Sequence, residues 1–241
     1  MKVEGEPNAA RPMRFYGQGL PYLGDPEVTG RLIVIEGPDA SGRSTQIAML
    51  TEKLEAMGHA VVNTGLKRSE LISQGIINAK RSLGTGKRTL SLFYAADFAD
   101  QLENKIIPAL KSGYTVLADR YIYTLMARDV VRGMDRRWCH DLFGFAVVPD
   151  LIFSLDVSPV ELVHRVFQRQ STLDFYEAGM DMGIAEEMYS SFVIYQRLIS
   201  AEFKRMQSRY GMIPVNGEEA PLVVEAELEG MILRLLAARP R

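Results

Sequence analysis

One stretch constrains the fold of this chain more than any other. Arg31-Leu-Ile-Val-Ile-Glu36 is an unbroken apolar run closed by a carboxylate. Such a run reads as a strand buried on both faces, because a half-exposed strand would alternate. A turn containing Gly37 and Gly42 follows at once. Then Ile47, Leu50, Leu54 and Met57 recur at helical spacing, which predicts a helix over 44–57 with Gly58 as its stop.

The rest of the chain repeats the alternation. The patterns predict strands at 59–63, 114–118, 151–155 and 212–215. They predict helices at 90–111, from Ser158-Pro159 onward, at 184–209 and at 221–238. Strands alternating with helices imply an α/β fold, a parallel sheet with helices on both faces, and ligands at the carboxyl ends of the strands. Residues 1–29 differ. They hold four of the eleven prolines and show no periodicity, so they read as an extended arm, partly packed through Phe15, Tyr16, Leu20 and Tyr22, or as a disordered leader. Residues 30–241 then form one domain.

Composition excludes several functions. Twenty-eight Lys and Arg against 30 Asp and Glu give a net charge of -2, with no basic excess for nucleic acid. One cysteine rules out an intrachain disulfide, and the three histidines are scattered without metal-ligand spacing. The N-terminus is polar and no run of 18 apolar residues occurs, so the expectation is a soluble, cytoplasmic protein with no membrane partner.

The turn itself carries the chemistry. Gly37-Pro38-Asp39-Ala40-Ser41-Gly42-Arg43-Ser44-Thr45 fits the phosphate-binding pattern G-x-x-x-x-G-K-[ST] except for Arg43 in place of lysine. Glycines let the backbone close around phosphate oxygens, and the helix N-terminus adds positive potential. Ser44 is placed to ligand a nucleotide-borne magnesium ion. Arginine keeps the charge but is planar, longer and bidentate, so the exchange is not conservative. A purely structural turn is the bland reading of the same residues.

Five segments together resemble the thymidylate kinase family of nucleoside monophosphate kinases. They are Glu36 to Gln46; Leu92-Phe-Tyr-Ala-Ala-Asp97 with Glu103 and Ile106 to Leu110; Leu117-Ala-Asp-Arg-Tyr121; Pro149-Asp150-Leu151 before a strand ending Leu155-Asp156-Val157; and Arg165, Arg169, Leu173-Asp174 and Glu177. The resemblance implies a P-loop kinase fold with a five-stranded parallel sheet, ATP and Mg2+, dTMP as acceptor, and a homodimer. It implies that Gly37 to Thr45 cradle the phosphates of ATP, and that Asp39 lies near magnesium and the acceptor phosphate. Arg120 would hold that phosphate, with Asp119 and Tyr121 beside it, and Tyr94 would stack on the base. Arg165 and Arg169 would be arginines of a mobile lid over 170–183. Each has a plainer reading: Asp119-Arg120 as a surface ion pair, Tyr94 as core packing, Arg165 and Arg169 as a solvated helix face.

The chain also departs from the family pattern. Phe98 stands where the family has an arginine, which removes a phosphate ligand. Thr64-Gly-Leu-Lys67 replaces R-E-P-G, and Ala127-Arg128-Asp129 replaces A-Y-Q. Lys67, Arg68 and Arg128 are candidates for the missing cation. A non-catalytic nucleotide-binding protein, or a kinase of another phosphorylated acceptor, stays open on these residues.

Overall fold

The computed structural model describes residues 10–24, 26–81, 85–169 and 173–237, with the Arg169 side chain outside that set. Five strands, β3 (Arg31–Glu36), β4 (Val61–Gly65), β5 (Thr115–Asp119), β6 (Leu151–Asp156) and β7 (Ile213–Asn216), form a parallel sheet in the order β4-β5-β3-β6-β7. All six residues of β3 are buried, as expected of a central strand covered on both faces.

Pleating divides the core in two. Ile33, Ile35, Leu117, Phe153 and Leu155 face one way and pack with Ile47, Leu50 and Leu54 of α1 (Arg43–Ala56) and Val224, Leu228 and Ile232 of α9 (Pro221–Ala237). Leu32, Val34, Val116, Ala118 and Ile152 face the other way. They meet α3 (Lys87–Gln101), α4 (Ile107–Lys111), α5 (Ile122–Val131) and α8 (Met188–Tyr210). The alternation is the period-two geometry of a strand, expressed in three adjacent strands at once.

Several boundaries differ from the expectations. The second sheet strand is shifted to Val61–Gly65, so it ends level with Asp119 of β5. The helix expected at 90–111 starts earlier and widens into a π turn over Leu102–Ile106 before α4. Pro108 supplies the reason: it has no N–H to donate and its ring crowds the carbonyl one turn back. The helix expected from Ile184 starts at Met188, because Gly179 and Gly183 both adopt left-handed backbone around a short 3-10 turn, Met180–Met182. Three helices lie outside the sequence expectations: α2 (Ser73–Arg81), α5, and α6 (Arg136–Leu142), which Asp135 caps through the Trp138 N–H. The remaining helix, α7 (Pro159–Arg169), opens on Pro159 as expected.

The described part of the arm is ordered against the body. Strands β1 (Arg11–Pro12) and β2 (Glu27–Val28) pair antiparallel, and Phe15 bridges Val147. Phe15, Tyr16 and Leu20 pack on the main core, and the Tyr16 hydroxyl lies 2.5 Å from that of Tyr123. Tyr22 does not share this role, since it is 66% exposed. Among the described residues no helix is long and apolar enough to cross a membrane.

Candidate active site

The β3 carboxylate starts the site. Glu36 is fully buried and accepts hydrogen bonds from the Tyr121 N–H (2.8 Å), the Thr124 N–H (3.2 Å) and the Thr124 hydroxyl (2.5 Å). It therefore caps the N-terminus of α5 and fixes that helix to the loop after β3. Burial pushes its pKa up, opposed by those same bonds.

The loop between Glu36 and α1 turns on Gly37 and Gly42, both at positive φ. A Cβ on Gly37 would lie 2.8 Å from Ser41 Oγ and 3.0 Å from the Leu155 carbonyl, so only glycine fits. Arg43 is buried and donates to the carbonyls of Gly37 and Pro38, to Ser41 Oγ at 3.1 Å, and to Asp119 at 2.9 Å. Its planar fork thus ties the loop to the end of β5, as a single lysine amine would do less completely. Ser44 donates to the other Asp119 oxygen at 2.7 Å. Burial alone would raise the Asp119 pKa, but Arg43, Ser44 and Arg120 bring it below the usual value.

Asp39 sits between two arginines. It pairs with Arg120, which has a left-handed backbone (φ 71), and with Arg128 at 2.9 Å. Burial opposes ionisation of Asp39, yet Arg120, Arg128 and Arg43 hold its carboxyl well below the ordinary range. A left-handed arginine is a strained conformation that the surrounding contacts must maintain. The Nε of Arg120 is buried with no partner, an unmet donor that an anion would satisfy.

Three cavities meet here. One of about 350 Å³ runs along Ser41, Gly42 and Thr45, past Arg165, to Gly217 and Pro221. A second, about 260 Å³, is walled by Asp39, Arg43, Ser44, Lys67, Arg68 and Arg120. The third, about 410 Å³, is largely aromatic and apolar, with Tyr94, Leu90, Leu125, Phe175 and Tyr176, and shares Arg128 and Glu177 with the second. The first and second meet at Ala40.

The structure therefore brings together Asp39, Ser41, Gly42, Arg43, Ser44, Asp119 and Arg120, and puts Tyr94 on the aromatic wall. Arg165 reaches the loop, with Nη1 3.4 Å from the Ser41 carbonyl, while its Nε bonds Glu161 at 2.7 Å. The Arg169 side chain lies outside the described residues. Tyr121 is a correction: it is buried, its hydroxyl donates to the Val147 carbonyl at 2.9 Å, and it packs edge-on against Phe98 rather than facing a cavity. Phe98 is likewise core, 3% exposed, and cannot supply a polar contact.

Of the segment expected to form the lid, residues 170–172 lie outside the described residues. The rest is anchored. Asp181 pairs with Arg132 at 2.7 Å, Ser191 donates to the Ala178 carbonyl at 2.7 Å, and Asp174 accepts from the N–H groups of Tyr176 and Glu177. Sequence reasoning missed the capping role of Glu36 and the Arg128–Asp39 pair. The signals are present only as unusual residues, Arg128 and Asp129, at positions where the family pattern has others.

No group of three or more His, Cys, Asp or Glu side chains gathers to hold a metal among the described residues. The residues do fit a magnesium ion brought by a nucleotide: Ser44 stands at the first turn of α1 beside the Asp119 carboxylate, next to a loop whose glycines leave room for phosphate.

Comparison with known proteins agrees with this geometry. The family profile described as thymidylate kinase matches residues 35–206. The chain is 34% identical over 204 residues to a probable thymidylate kinase 2 of Saccharolobus solfataricus, covering 84% of this chain and 95% of that protein. It is 35% identical over 155 residues to a probable thymidylate kinase of Thermococcus kodakarensis, covering 59% and 74%. It is 29% identical over 174 residues to a thymidylate kinase of Brachyspira hyodysenteriae, covering 68% and 81%. A profile match over residues 35–206, and a relative matched through most of both chains, on a sheet whose first loop turns on two glycines, lead to one conclusion: the chain belongs to the thymidylate kinase family.

Proposed function

We propose that this chain is an ATP-dependent nucleoside monophosphate kinase that transfers the γ-phosphoryl group of ATP to dTMP, giving dTDP and ADP. The observation that supports it best is the run of three contiguous cavities, in which an arginine-rich middle space is flanked by two larger ones that suit two nucleotides.

In this reading the amides of Gly37 to Thr45, with Pro38 and Ala40 shaping the turn, hold the phosphates of ATP. Arg43 keeps that loop rigid and positive. Ser44 and Asp39, with Asp119 beside Ser44, would hold Mg2+, which would supply charge neutralisation to the transferring phosphates. Arg120 and Arg128 hold the acceptor phosphate, and Tyr94 stacks on the base. Arg165, and Arg169 by its place on the same helix, stabilise charge that grows during transfer. Such a reaction asks mainly for positioning and charge neutralisation, which these residue types supply. The same reading treats residues 30–241 as the kinase domain and 1–29 as its arm, and places the protein in the cytoplasm as a homodimer without nucleic-acid partners.

The test is an ADP-release assay with a panel of nucleoside monophosphates, with and without magnesium. dTMP should be the preferred acceptor. ATP should also raise the melting temperature by mass action. Gly42→Val should abolish that rise, because a Cβ at residue 42 meets no protein atom within 4 Å and would project into the phosphate space. ATP stabilisation without turnover of any monophosphate would refute catalysis. Unchanged stabilisation in Gly42→Val would refute the loop assignment.

A further inference from the structure

The N-terminal arm precedes every segment that carries the family likeness, yet it is built against the acceptor half of the site. Its backbone runs along the loop between α6 and β6. The Val148 N–H donates to the Arg14 carbonyl at 2.8 Å, the Tyr16 N–H to the Ala146 carbonyl at 3.1 Å, and the Gly17 N–H to the Gly144 carbonyl at 2.7 Å. A Cβ on Gly17 would lie 3.0 Å from the Gly144 Cα, so the two stretches of backbone meet through glycine. At the start of the arm, Arg11 pairs with Asp150 at 2.6 Å, and Asp150 also accepts the Leu32 N–H at 2.8 Å.

These contacts deliver one side chain to α5. The Tyr16 hydroxyl lies 2.5 Å from that of Tyr123, and its ring stands edge-on to Tyr123 and Tyr210, with centroids 6.2 and 5.5 Å away. Tyr123 is fully buried, and among the described residues the two hydroxyls have only each other as hydrogen-bond partners. Burial pushes the Tyr16 phenol up to about 12 and holds that of Tyr123 well above its ordinary value, so both stay neutral. A buried hydroxyl without a partner is costly, so the pair fixes where the first turn of α5 can lie.

The acceptor-side arginines flank that turn. Thr124, next to Tyr123, donates to Glu36 through its N–H and its hydroxyl, so the turn is clamped by β3 on one side and by the arm on the other. Arg120 lies three residues before Tyr123, in left-handed backbone that its surroundings must maintain. Arg128 lies one helical turn after Thr124, on the same face of α5. Both arginines hold Asp39. Tyr16 packs into the core cluster that contains Ile122, Tyr123 and Leu125. Helices α1 and α9, which flank the cavity proposed for ATP, pack on the other face of the sheet. A disturbance at Tyr16 therefore reaches the acceptor half and spares the donor half.

We propose that Tyr16 of the arm is a positioning residue for the acceptor's phosphate: through Tyr123 it sets the first turn of α5, and with it the Arg120 and Arg128 guanidiniums. The identity of the acceptor rests on the proposed kinase reaction. The link from arm to α5 does not depend on turnover.

Calorimetry of dTMP, thymidine and ATP binding tests this in the parent, Tyr16→Phe, Tyr123→Phe, the double variant and Arg11→Met. Thymidine has the base and sugar without the phosphate, so the ratio of dTMP to thymidine affinity reads the arginines. Tyr16→Phe should lower that ratio about threefold to tenfold, the range one hydrogen bond spans, with ATP affinity unchanged. Tyr123→Phe should do the same, and the double variant should be no worse than either single one, because both substitutions cut the same link. Arg11 bonds Asp150 and the Gly30 carbonyl, at the amino ends of β6 and β3 and opposite the site. Arg11→Met should therefore lower the melting temperature and leave all three affinities unchanged. A parent-like ratio in Tyr16→Phe overturns the proposal. So do additive losses in the double variant, a loss of ATP affinity as large as that of dTMP, or a matching fall of the ratio in Arg11→Met. A parent that binds dTMP no better than thymidine overturns it as well. A parent that binds dTMP selectively but releases no ADP, with the ratio lowered in Tyr16→Phe, would refute the kinase reading and leave the positioning role of Tyr16 supported.

Discussion

Replacing Arg43 by methionine tests whether this arginine is part of the frame of the site. In the structure its side chain is 8% exposed and serves Asp119, Ser41 and the carbonyls of Gly37 and Pro38. Removing one partner of a buried ion pair costs about 3–5 kcal/mol, because the other charge is stranded. Asp119 keeps its Ser44 bond and is 12% exposed, which puts the pair at the lower end. Two carbonyls that lose a donor but can rehydrate from the cavity add about 1 kcal/mol. The expected loss is about 4 kcal/mol at pH 7, or a drop of roughly 8–16 °C in melting temperature for a domain of this size. Arg43→Lys, which keeps the charge and fewer of the bonds, should lose about half as much. The pH dependence has a definite sign. The folded Asp119 pKa is depressed, so its contribution is present above the unfolded value of about 4 and is lost as pH falls through the folded value. The gap between parent and Arg43→Met should therefore stay constant from about pH 8 to 5 and narrow below about pH 4. Thermal and urea unfolding across that range provide the measurement. A melting temperature within about 2 °C of the parent at pH 7, or a gap that widens toward acid, would refute the reasoning.

Restoring a cation at position 98 should harm the protein. The Phe98 ring is 4.9 Å from Tyr121, 5.6 Å from Phe145 and 6.2 Å from Phe143, so Phe98→Arg buries an unpaired charge among aromatic rings. A loss of more than about 4 kcal/mol and no gain in dTMP affinity are expected from unfolding and binding measurements; a stable variant with tighter dTMP binding would contradict the packing argument. Asp129 gives a second pH signature. Burial raises its pKa to about 6, against the opposing effects of Ser91, Arg132 and Arg128. A raised carboxyl contributes stability at low pH that is lost as pH rises through the folded value, so the parent should lose about 2–3 kcal/mol between about pH 4 and 6 through this group. Asp129→Asn should flatten that part of the stability profile, and identical profiles for parent and variant would count against a buried Asp129. Arg165→Ala should lower kcat far more than it changes the dissociation constant for ATP, the pattern of a contact made mainly in the transition state; parent-like kcat with unchanged stability would leave Arg165 only its Glu161 pair.

Local signals are legible in the order of residues alone. The run Arg31–Glu36, the glycines at 37 and 42 and the helical spacing after Ser44 are all encoded by neighbours along the chain, so strand, turn and helix follow from residue type. The alternation of later strands and helices points to the parallel α/β architecture for the same reason. Helix α5 escapes such reading because its first residues, Ile122 to Ala127, form a short and nearly continuous apolar run, all of it buried, which fits a strand as well as a buried helix. The order of strands, and with it which loops meet, depends on pairing between distant segments. Asp39 and Arg128 are 89 residues apart, and Glu36 caps a helix that begins 86 residues later. Nothing near Phe98 in sequence says that it turns into an aromatic cluster. That fact arises from side-chain packing, which only the tertiary structure decides. The sequence by itself determined the strand, the glycine turn and the helix that frame the loop. The tertiary structure decided which cations surround it, because charge placement follows the fold and not the order of residues.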